Sequence, residues 1–436
     1  MPYTVGLYTL GCKVSQYETE AIGEAFERFG FALVPFEDAA EVYVVNTCTV
    51  TAESDRKSRQ MIRRALKKNP DAIVLVVGCY AQTSPHEIAA IPGVTYVSGT
   101  NGKMLLPEIA LSQLASRPAA PVVAVTPLEG AEFEPMCIKR APRTRAYVKI
   151  EDGCECRCAY CAIPGARGPV RSKAPLDVLR EVEGLVQGGT EEVVLTGIEA
   201  ASYGRDLADT DLASLAELVE KESGISRIRF GSLTPEVMKP PFVARLAALS
   251  KICPHFHLSM QAGSDAVLRG MRRRYNTEMA LSVIEALRRA IPDVTFTTDM
   301  MVGFPGETEE HFEETLAFTK RANFLDMHVF AYSPRPGTPA ADFPNQVPEA
   351  VKRERSGRLI ALKNELRRAH FAEYVAKGKP LRVLMETEEG GVWCGHSDAF
   401  VPVFAPSAED LHGKMVSVLP TAWNEDGLLG EIITDN

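Results

Sequence analysis

The chain has 436 residues, 45% of them hydrophobic and 24% charged, with a formal net charge of −9. That composition excludes global disorder, collagen-like repeats and coiled-coil fibres, and no apolar run approaches the ~20 residues a membrane helix needs. At roughly 100–200 residues per domain, the length predicts two to four domains.

Leu10-Gly11-Cys12 superficially has the look of a lipoprotein cleavage site. No Lys or Arg precedes it and the apolar stretch is short, so no signal peptide is expected. The expected compartment is the cytoplasm, where thiols stay reduced. Runs rich in Val, Leu and Ile at Thr4–Leu10, Val42–Asn46 and Ile73–Val77 predict buried parallel strands, with helices at 17–29 and 54–68 between them. Cys12, Cys48 and Cys79 each follow one of these strands. In open α/β sheets, sites lie beyond the carboxyl ends of the strands. The three cysteines are thus either a ligand set or three buried thiols, and their spacing alone leaves both readings open. The helix at 54–68 carries seven bases and no acid from Arg56 to Lys68.

A Pro/Ala/Glu-rich stretch near 117–135 reads as a linker. Beyond it βα units repeat, with strands predicted at 145–150, 192–196, 227–231, 255–259, 294–298 and 326–331. Helices are predicted at 175–187, 211–222, 277–290 and 309–321, with Asn276 as an N-cap and Gly188-Gly189 as a stop. Six such units close fully or partly into a barrel, whose chemistry sits at the C-terminal strand ends. A charged helix at 349–376 follows. The last segment has strand-like runs at Leu381–Thr387, Val392–Cys394, Ala399–Phe404 and Lys414–Leu419, with a hairpin signal at Gly390-Gly391. It predicts a small β-barrel. From 379 on, three bases stand against ten acids, which argues against phosphate binding by Coulomb attraction. Both tryptophans, Trp393 and Trp423, lie here, to stack on bases or to fill a small core.

The strongest signal is Cys154-x-x-x-Cys158-x-x-Cys161, in a loop that follows the first barrel strand. Three thiolates in one loop can hold three irons of a [4Fe–4S] cluster and leave the fourth open. A zinc site using Cys156 as fourth ligand, or a Cys158-x-x-Cys161 redox dithiol, are the competing readings, but neither explains why the loop opens a βα barrel. Cys137, Cys253 and Cys394 read as ordinary small apolar residues.

This loop, with aromatic Tyr160 before the last cysteine, resembles the signature of the radical S-adenosylmethionine enzymes. A narrower likeness covers nearly the whole chain. Thr9-Leu10-Gly11-Cys12-Lys13-Val14-Ser15-Gln16-Tyr17-Glu18, Asn46-Thr47-Cys48-Thr49-Val50, Gly78-Cys79-Tyr80-Ala81-Gln82, Ala166-Arg167-Gly168 and the run Thr298 to Glu307 resemble the methylthiotransferases. Ser15 where the family usually has Asn, and Ala262 in Gln261-Ala262-Gly263-Ser264, depart from its pattern, as does Cys156. The resemblance implies an α/β architecture of three domains. These are a flavodoxin-like parallel-sheet domain at 1–135, a radical (βα)6 partial barrel at 136–376 and a small TRAM-like β-barrel at 377–436. It implies two [4Fe–4S] clusters, one on Cys154, Cys158 and Cys161, and a second on Cys12, Cys48 and Cys79 that carries the transferred sulfur. S-adenosylmethionine is expected near Tyr160, Thr196, Gly197, Gln261 and Asp299. One molecule is cleaved to a 5′-deoxyadenosyl radical and another methylates the sulfur.

Gly11-Cys12-Lys13-Val14 and Gln16-Tyr17-Glu18, with Leu195-Thr196-Gly197-Ile198 and Ser202-Tyr203-Gly204, resemble the type that acts on N6-threonylcarbamoyladenosine (t6A) beside the anticodon of tRNA, attaching methylthio at C2. No side-chain base could take a proton from that carbon near neutral pH, so a radical is needed. The alternatives are isopentenyladenosine in tRNA and an aspartate of a ribosomal protein; a tRNA-binding module with structural metal is the more distant one. Expected partners are the anticodon loop, whose bases can be splayed out, and a one-electron donor such as a flavodoxin or ferredoxin. Phosphate contacts are expected from Arg56, Lys57, Arg59, Arg63, Arg64, Lys67 and Lys68. Lys139, Arg140, Arg143, Arg145, Arg167, Arg171 and Lys173 are expected to add to them.

Overall fold

The computed structural model describes residues 2–433. In its N-terminal part, six strands form one parallel sheet: Thr4–Thr9, Ala32–Val34, Val42–Thr47, Ile73–Gly78, Tyr96–Val97 and Val122–Val123. Counted along the chain, the spatial order is second, first, third, fourth, fifth, sixth. The first five follow the flavodoxin-like arrangement, whose switch point lies between the first and third strands. The third and fourth strands are buried at every position, which is why they read as unbroken apolar runs. The second, fifth and sixth are two or three residues long, too short to show a period in the sequence. The last of them lies inside the stretch read as a linker, where Glu134 also accepts a hydrogen bond from the Met104 N–H at 2.9 Å. Helix Ala52–Lys68 is capped by the Thr51 hydroxyl, which accepts from the Ser54 N–H, with Glu53 and Asp55 in its first turn and Lys67 and Lys68 in its last. Each of these placements suits the helix dipole.

The partial barrel is built from six parallel strand positions: Arg145–Lys149, Glu192–Thr196, Arg227–Phe230, His255–Gln261, Thr295–Val302 and Asp326–Ala331. The third continues past Gly231 as Ser232–Leu233, which pairs with the fourth. First and last strands do not pair, so the barrel has a lateral gap. Asn276 caps helix Thr277–Ala290, accepting from the Met279 N–H at 2.8 Å. Helices Pro240–Ala247 and Asp265–Gly270 were not expected; each is too short for a clear apolar stripe. Helix Lys13–Arg28 of the N-terminal part packs on the barrel rather than only on its own sheet. Tyr17 and Ala21 belong to the barrel's apolar core, and the Tyr17 hydroxyl donates to Glu181 at 2.9 Å.

Helix Glu349–Lys377 leads into a closed barrel of five strands: Leu381–Glu389, Val392–Ser397, Pro402–Pro406, Met415–Trp423 and Leu428–Ile433. The Gly390-Gly391 hairpin forms as expected, with Glu389 opposite Val392. The run predicted as a strand from Ala399 begins instead at Pro402, because Phe400 takes a left-handed φ of 65° that no strand tolerates. Trp393 is buried in this small core, whereas Trp423 stays exposed. The acidic segment docks on the N-terminal end of the large barrel. Glu386 pairs with Arg145 at 3.0 Å, Asp398 with Arg227 at 3.1 Å, and Arg227 and Arg229 also donate to the Ser397 carbonyl. The Phe400 ring stacks on His255 at 4.5 Å beneath the Arg145 and Arg229 guanidiniums, at 5.2 and 4.9 Å. Replacing Phe400 by Ala keeps the strained backbone and removes the ring. A loss of about 2 kcal/mol in denaturant unfolding is expected from two aromatic stacks, on His255 and His396, and two cation–π contacts. An unchanged midpoint would show the ring contributes nothing to docking.

Candidate active site

Each N-terminal cysteine sits where its strand hands over to the next element. Cys12 is the N-cap of helix Lys13–Arg28, Cys48 follows strand Val42–Thr47, and Cys79 opens helix Cys79–Thr83. Two of these strand ends flank the switch point and the third is adjacent, so cysteines 31 or more residues apart converge. Gly78 is required before Cys79. Its φ is 98°, and a Cβ there would lie 2.4 Å from the Thr47 carbonyl oxygen. Burial pushes the Cys79 thiol up to about 11, with Arg167 acting against it, and burial also raises Cys48. None of the ten cysteines is in a disulfide.

Behind Cys79 lies a buried charge network that joins the two halves of the chain. Arg167 Nε–H donates to Cys79 Sγ at 3.1 Å, and its Nη1 reaches Glu18 at 2.5 Å and Asp152 at 3.2 Å. Lys149 lies 2.8 Å from Glu18 and 2.6 Å from Asp152, Lys103 is 2.9 Å from Glu18, and Arg171 is 3.5 Å from Asp152. All six side chains are buried. Burial alone would push the Glu18 carboxyl up; Arg167, Lys103 and Lys149 outweigh it and hold it well below the usual range. Asp152 is held at about 2 in the same way by Lys149 and Arg167. Four cations against these two carboxylates leave positive charge beside the cysteines, which suits a group of thiolates.

The second set opens the large barrel. Cys154 and Cys158 are buried and Cys161 is half-buried. A cavity of about 940 Å³ is lined by all three, by Arg157 and Arg272, and by Gln82 and Leu128 of the N-terminal part. Gly153 makes the tight entry, with φ 92° and a Cβ position only 1.9 Å from the Pro169 carbonyl. Arg273 Nη1 donates to Cys158 Sγ at 3.3 Å, and Arg273 is held by Tyr275 and the Ser259 carbonyl. Burial raises Cys161 to about 12. Cys156 stands apart from the three. A hydrogen bond with Cys154 lowers it to about 6 and raises Cys154, and Glu199 lies within reach of both.

Tyr160 packs edge-on to Phe304 between the loop cysteines and the barrel mouth. Thr196 and Gly197 end the second strand, where Glu151 approaches so closely that a Cβ on Gly197 would meet its carboxylate at 2.5 Å. Gln261 ends the fourth strand after a register irregularity and holds a φ of 67°. A non-glycine residue held there marks a constrained mouth. Asp299, just past the strand predicted at 294–298, lies inside strand Thr295–Val302, which runs on to Val302, and faces His257 at 3.3 Å and His328 at 3.5 Å.

The basic residues divide sharply. Arg56, Lys57, Arg63, Arg64, Lys67, Lys68, Lys139, Arg140 and Arg143 are exposed. Arg59 is half-buried, bonded to the Tyr80 hydroxyl and Glu87. Arg145 is half-buried against Glu386. Arg167, Arg171 and Lys173 were expected at phosphates but are buried: two belong to the network above, and Lys173 pairs with Glu181. The run Arg272-Arg273-Arg274 reads in sequence as a phosphate patch or a solvated face, yet Arg273 turns to Cys158; no spacing rule flagged Lys103, Lys149 or Arg335, which pairs with Asp55 at 2.7 Å and so ties the barrel to helix Ala52–Lys68. Glu18 sat in a quoted motif without a role.

A loop of three cysteines under a cavity at the mouth of a six-stranded partial barrel defines a radical S-adenosylmethionine protein, and the Radical SAM superfamily model matches residues 148–319. The model for the uncharacterized protein family UPF0004 matches residues 4–99. The chain is 43% identical over 421 residues to "Threonylcarbamoyladenosine tRNA methylthiotransferase MtaB" of Bacillus subtilis, covering 95% of this chain and 93% of that one. It is 35% identical to "tRNA-2-methylthio-N(6)-dimethylallyladenosine synthase" of Moorella thermoacetica, covering 99% and 98%. The fold is shared with the radical S-adenosylmethionine methyltransferase TsrM from Kitasatospora setae, with a TM-score of 0.59 at 17% identity over 78% of this chain and 75% of that one. The chain belongs to the radical S-adenosylmethionine methylthiotransferase family. It is an enzyme, and its family implies S-adenosylmethionine and a [4Fe–4S] cluster. Among the described residues no helix is long and apolar enough to cross a membrane.

The residues fit such a group. Buried thiols with raised pKa values are costly as free thiolates, and iron removes that cost by displacing the proton. Soft sulfur donors in threes, each backed by an arginine, suit an iron–sulfur cluster better than a hard cation.

Proposed function

We propose that this enzyme methylthiolates C2 of t6A next to the anticodon in tRNA, using two S-adenosylmethionine molecules and two [4Fe–4S] clusters. The reading divides the chain at 1–135, 136–376 and 377–436. Cys154, Cys158 and Cys161 hold the radical-generating cluster, and Cys12, Cys48 and Cys79 hold the second. When bound, these groups supply a 5′-deoxyadenosyl radical and the sulfur to be transferred. The observation that carries the reading is Arg167, which follows the radical loop in sequence and donates to Cys79 of the other set. One buried residue thus links the radical-loop half of the chain to the N-terminal cysteine set, and the cavity over Cys154, Cys158 and Cys161 takes walls from both halves.

The chain's own residues bind, orient and exclude. Tyr160, Thr196, Gly197 and Gln261 line the barrel mouth against S-adenosylmethionine. Arg273 orients Cys158, and Arg167 orients Cys79. A base splayed from a loop reaches the cavity with its phosphates outside. Of the exposed cations, those of helix Ala52–Lys68 run on from Cys48 as the phosphate track. A flavodoxin or ferredoxin supplies the electron.

Reconstituted protein with S-adenosylmethionine, reductant and tRNA, followed by nucleoside mass spectrometry, is expected to convert t6A to its 2-methylthio form. Conversion of dimethylallyladenosine instead would overturn the substrate assignment. Replacing Arg63 and Lys67 together by Gln is expected to weaken tRNA binding and lower the log–log salt slope by about 1.5, at roughly 0.7 per phosphate contact. An unchanged slope would remove this helix from the phosphate track.

A further inference from the structure

Helix Asp265–Gly270 ends in a run of arginines beside the cysteine loop, and they divide by direction. Arg273 turns inward to the Cys158 sulfur, whereas Arg269, Arg272 and Arg274 are exposed. Arg272 lies one hydrogen-bonded turn past Arg269, its N–H donating to the Arg269 carbonyl at 2.9 Å, and it lines the cavity of about 940 Å³ over the three cysteines. Its φ of 59° is left-handed, just past a helix C-terminus, where glycine is the usual residue. A long side chain held there marks a position with a use beyond the fold. Arg274 donates to the Glu155 carbonyl at 3.4 Å, so this face touches the loop that carries Cys154, Cys158 and Cys161.

The arginines at the other end of the barrel are matched by acids: Arg145 pairs with Glu386, Arg227 with Asp398 and Arg229 with Glu192. Among the described residues, Arg269, Arg272 and Arg274 pair with no carboxylate. Two exposed acids, Glu129 and Glu155, share the cavity rim with Arg272. The face is therefore mixed in sign, with positive charge in excess. Helix Ala52–Lys68 is different: from Arg56 to Lys68 it holds no acid, which suits the unbroken negative charge of a phosphate backbone. A mixed face suits a protein, whose side chains can answer each charge in turn. Electron transfer falls steeply with distance, so a protein that delivers an electron has to come close to the cysteine loop, and this face adjoins it.

We infer that Arg269, Arg272 and Arg274 form the docking face for the one-electron carrier, a protein with an acidic contact surface; the inference rests on the reading of Cys154, Cys158 and Cys161 as the radical-generating set. The carrier gives up one electron. The sulfonium of S-adenosylmethionine accepts it as the bond from sulfur to C5′ breaks, leaving neutral methionine and the 5′-deoxyadenosyl radical. No proton moves in that step. Such encounters are brief and bury little surface, so charge on the rim sets how fast the carrier arrives, and salt weakens the effect.

The test titrates reconstituted enzyme with oxidised bacterial flavodoxin by calorimetry, without tRNA, at low and at physiological salt. Arg269→Glu/Arg274→Glu is expected to raise the Kd at least about tenfold at low salt, with a smaller difference at physiological salt. Arg272 is left in place because it lines the cavity. Release of 5′-deoxyadenosine driven by reduced flavodoxin is expected to fall in step, while release driven by dithionite, which needs no docking, stays at the parent level. Arg269→Lys/Arg274→Lys keeps the charge and is expected to recover most of the affinity. Iron content and the unfolding midpoint check that each variant is intact. Equal flavodoxin affinity of the parent and the charge-reversed chain would overturn the docking face. So would a charge-reversed chain that keeps flavodoxin affinity and loses affinity for an anticodon stem-loop, which would assign the face to RNA. Both outcomes leave the t6A reading standing. A parent enzyme that releases no 5′-deoxyadenosine even with dithionite would overturn the radical reading itself.

Discussion

A Cys158→Ala chain is expected to lose S-adenosylmethionine cleavage below detection, whereas a Cys12→Ala/Cys48→Ala/Cys79→Ala chain keeps it and loses only transfer to tRNA. Both lose about half of their iron. The asymmetry follows from where the sets sit. Cys158 lies under the cavity beside Tyr160, with Arg273 on its sulfur, so nothing else in the loop can replace it. Cys156 is the nearest spare thiol, but it pairs with Cys154 and approaches Glu199. The N-terminal set hangs on a separate sheet and lines none of the cavity, so its loss leaves the three loop cysteines in place. Iron analysis and 5′-deoxyadenosine release, measured anaerobically without tRNA, separate the two sets. Loss of cleavage in the triple variant would show that they do not act independently.

The second large effect is expected at Arg167. Arg167→Ala is expected to cost about 3–5 kcal/mol, because it takes the nearest cation from the buried carboxylates Glu18 and Asp152. Lys149 and Lys103 still face those carboxylates, which sets the lower end of the range. Arg167→Lys recovers only part, since one ammonium cannot reach Glu18, Asp152 and the Cys79 sulfur together. The check is the denaturant midpoint of the apo chain, together with the iron bound after reconstitution. A midpoint shifted by less than about 1 kcal/mol would mean that water enters the network and screens it.

Much of this was legible in the sequence. The strands and helices of the large barrel have the length and period that pattern reading needs, and all but the strand predicted at 294–298 fall within two residues of expectation. The cysteine loop was legible because its ligands are close in sequence. Cys12, Cys48 and Cys79 were not: their convergence depends on strand order, and only the resemblance raised them. Charge misled at Arg167, Arg171 and Lys173. Sequence shows a base but not the carboxylates that topology brings to it, here Glu18 and Asp152 from distant elements. Asp299 was placed at a strand end because the strand runs on to Val302, past the predicted stop at 298. The acidic C-terminal barrel has part of its explanation in Arg145 and Arg227, which Glu386 and Asp398 pair from below, while Arg229 receives backbone carbonyls of the same loop.

The Phe400 plug has a chemical consequence as well as a structural one. A reactive radical takes hydrogen from whatever it meets, and a chamber open at both ends would let small buffer molecules and stray thiols quench it. With the ring and its two guanidiniums at the N-terminal end, entry is left to the cysteine side and the lateral gap. The acidic barrel then acts as a stopper for the reaction chamber, and its negative charge holds that stopper in its cationic seat.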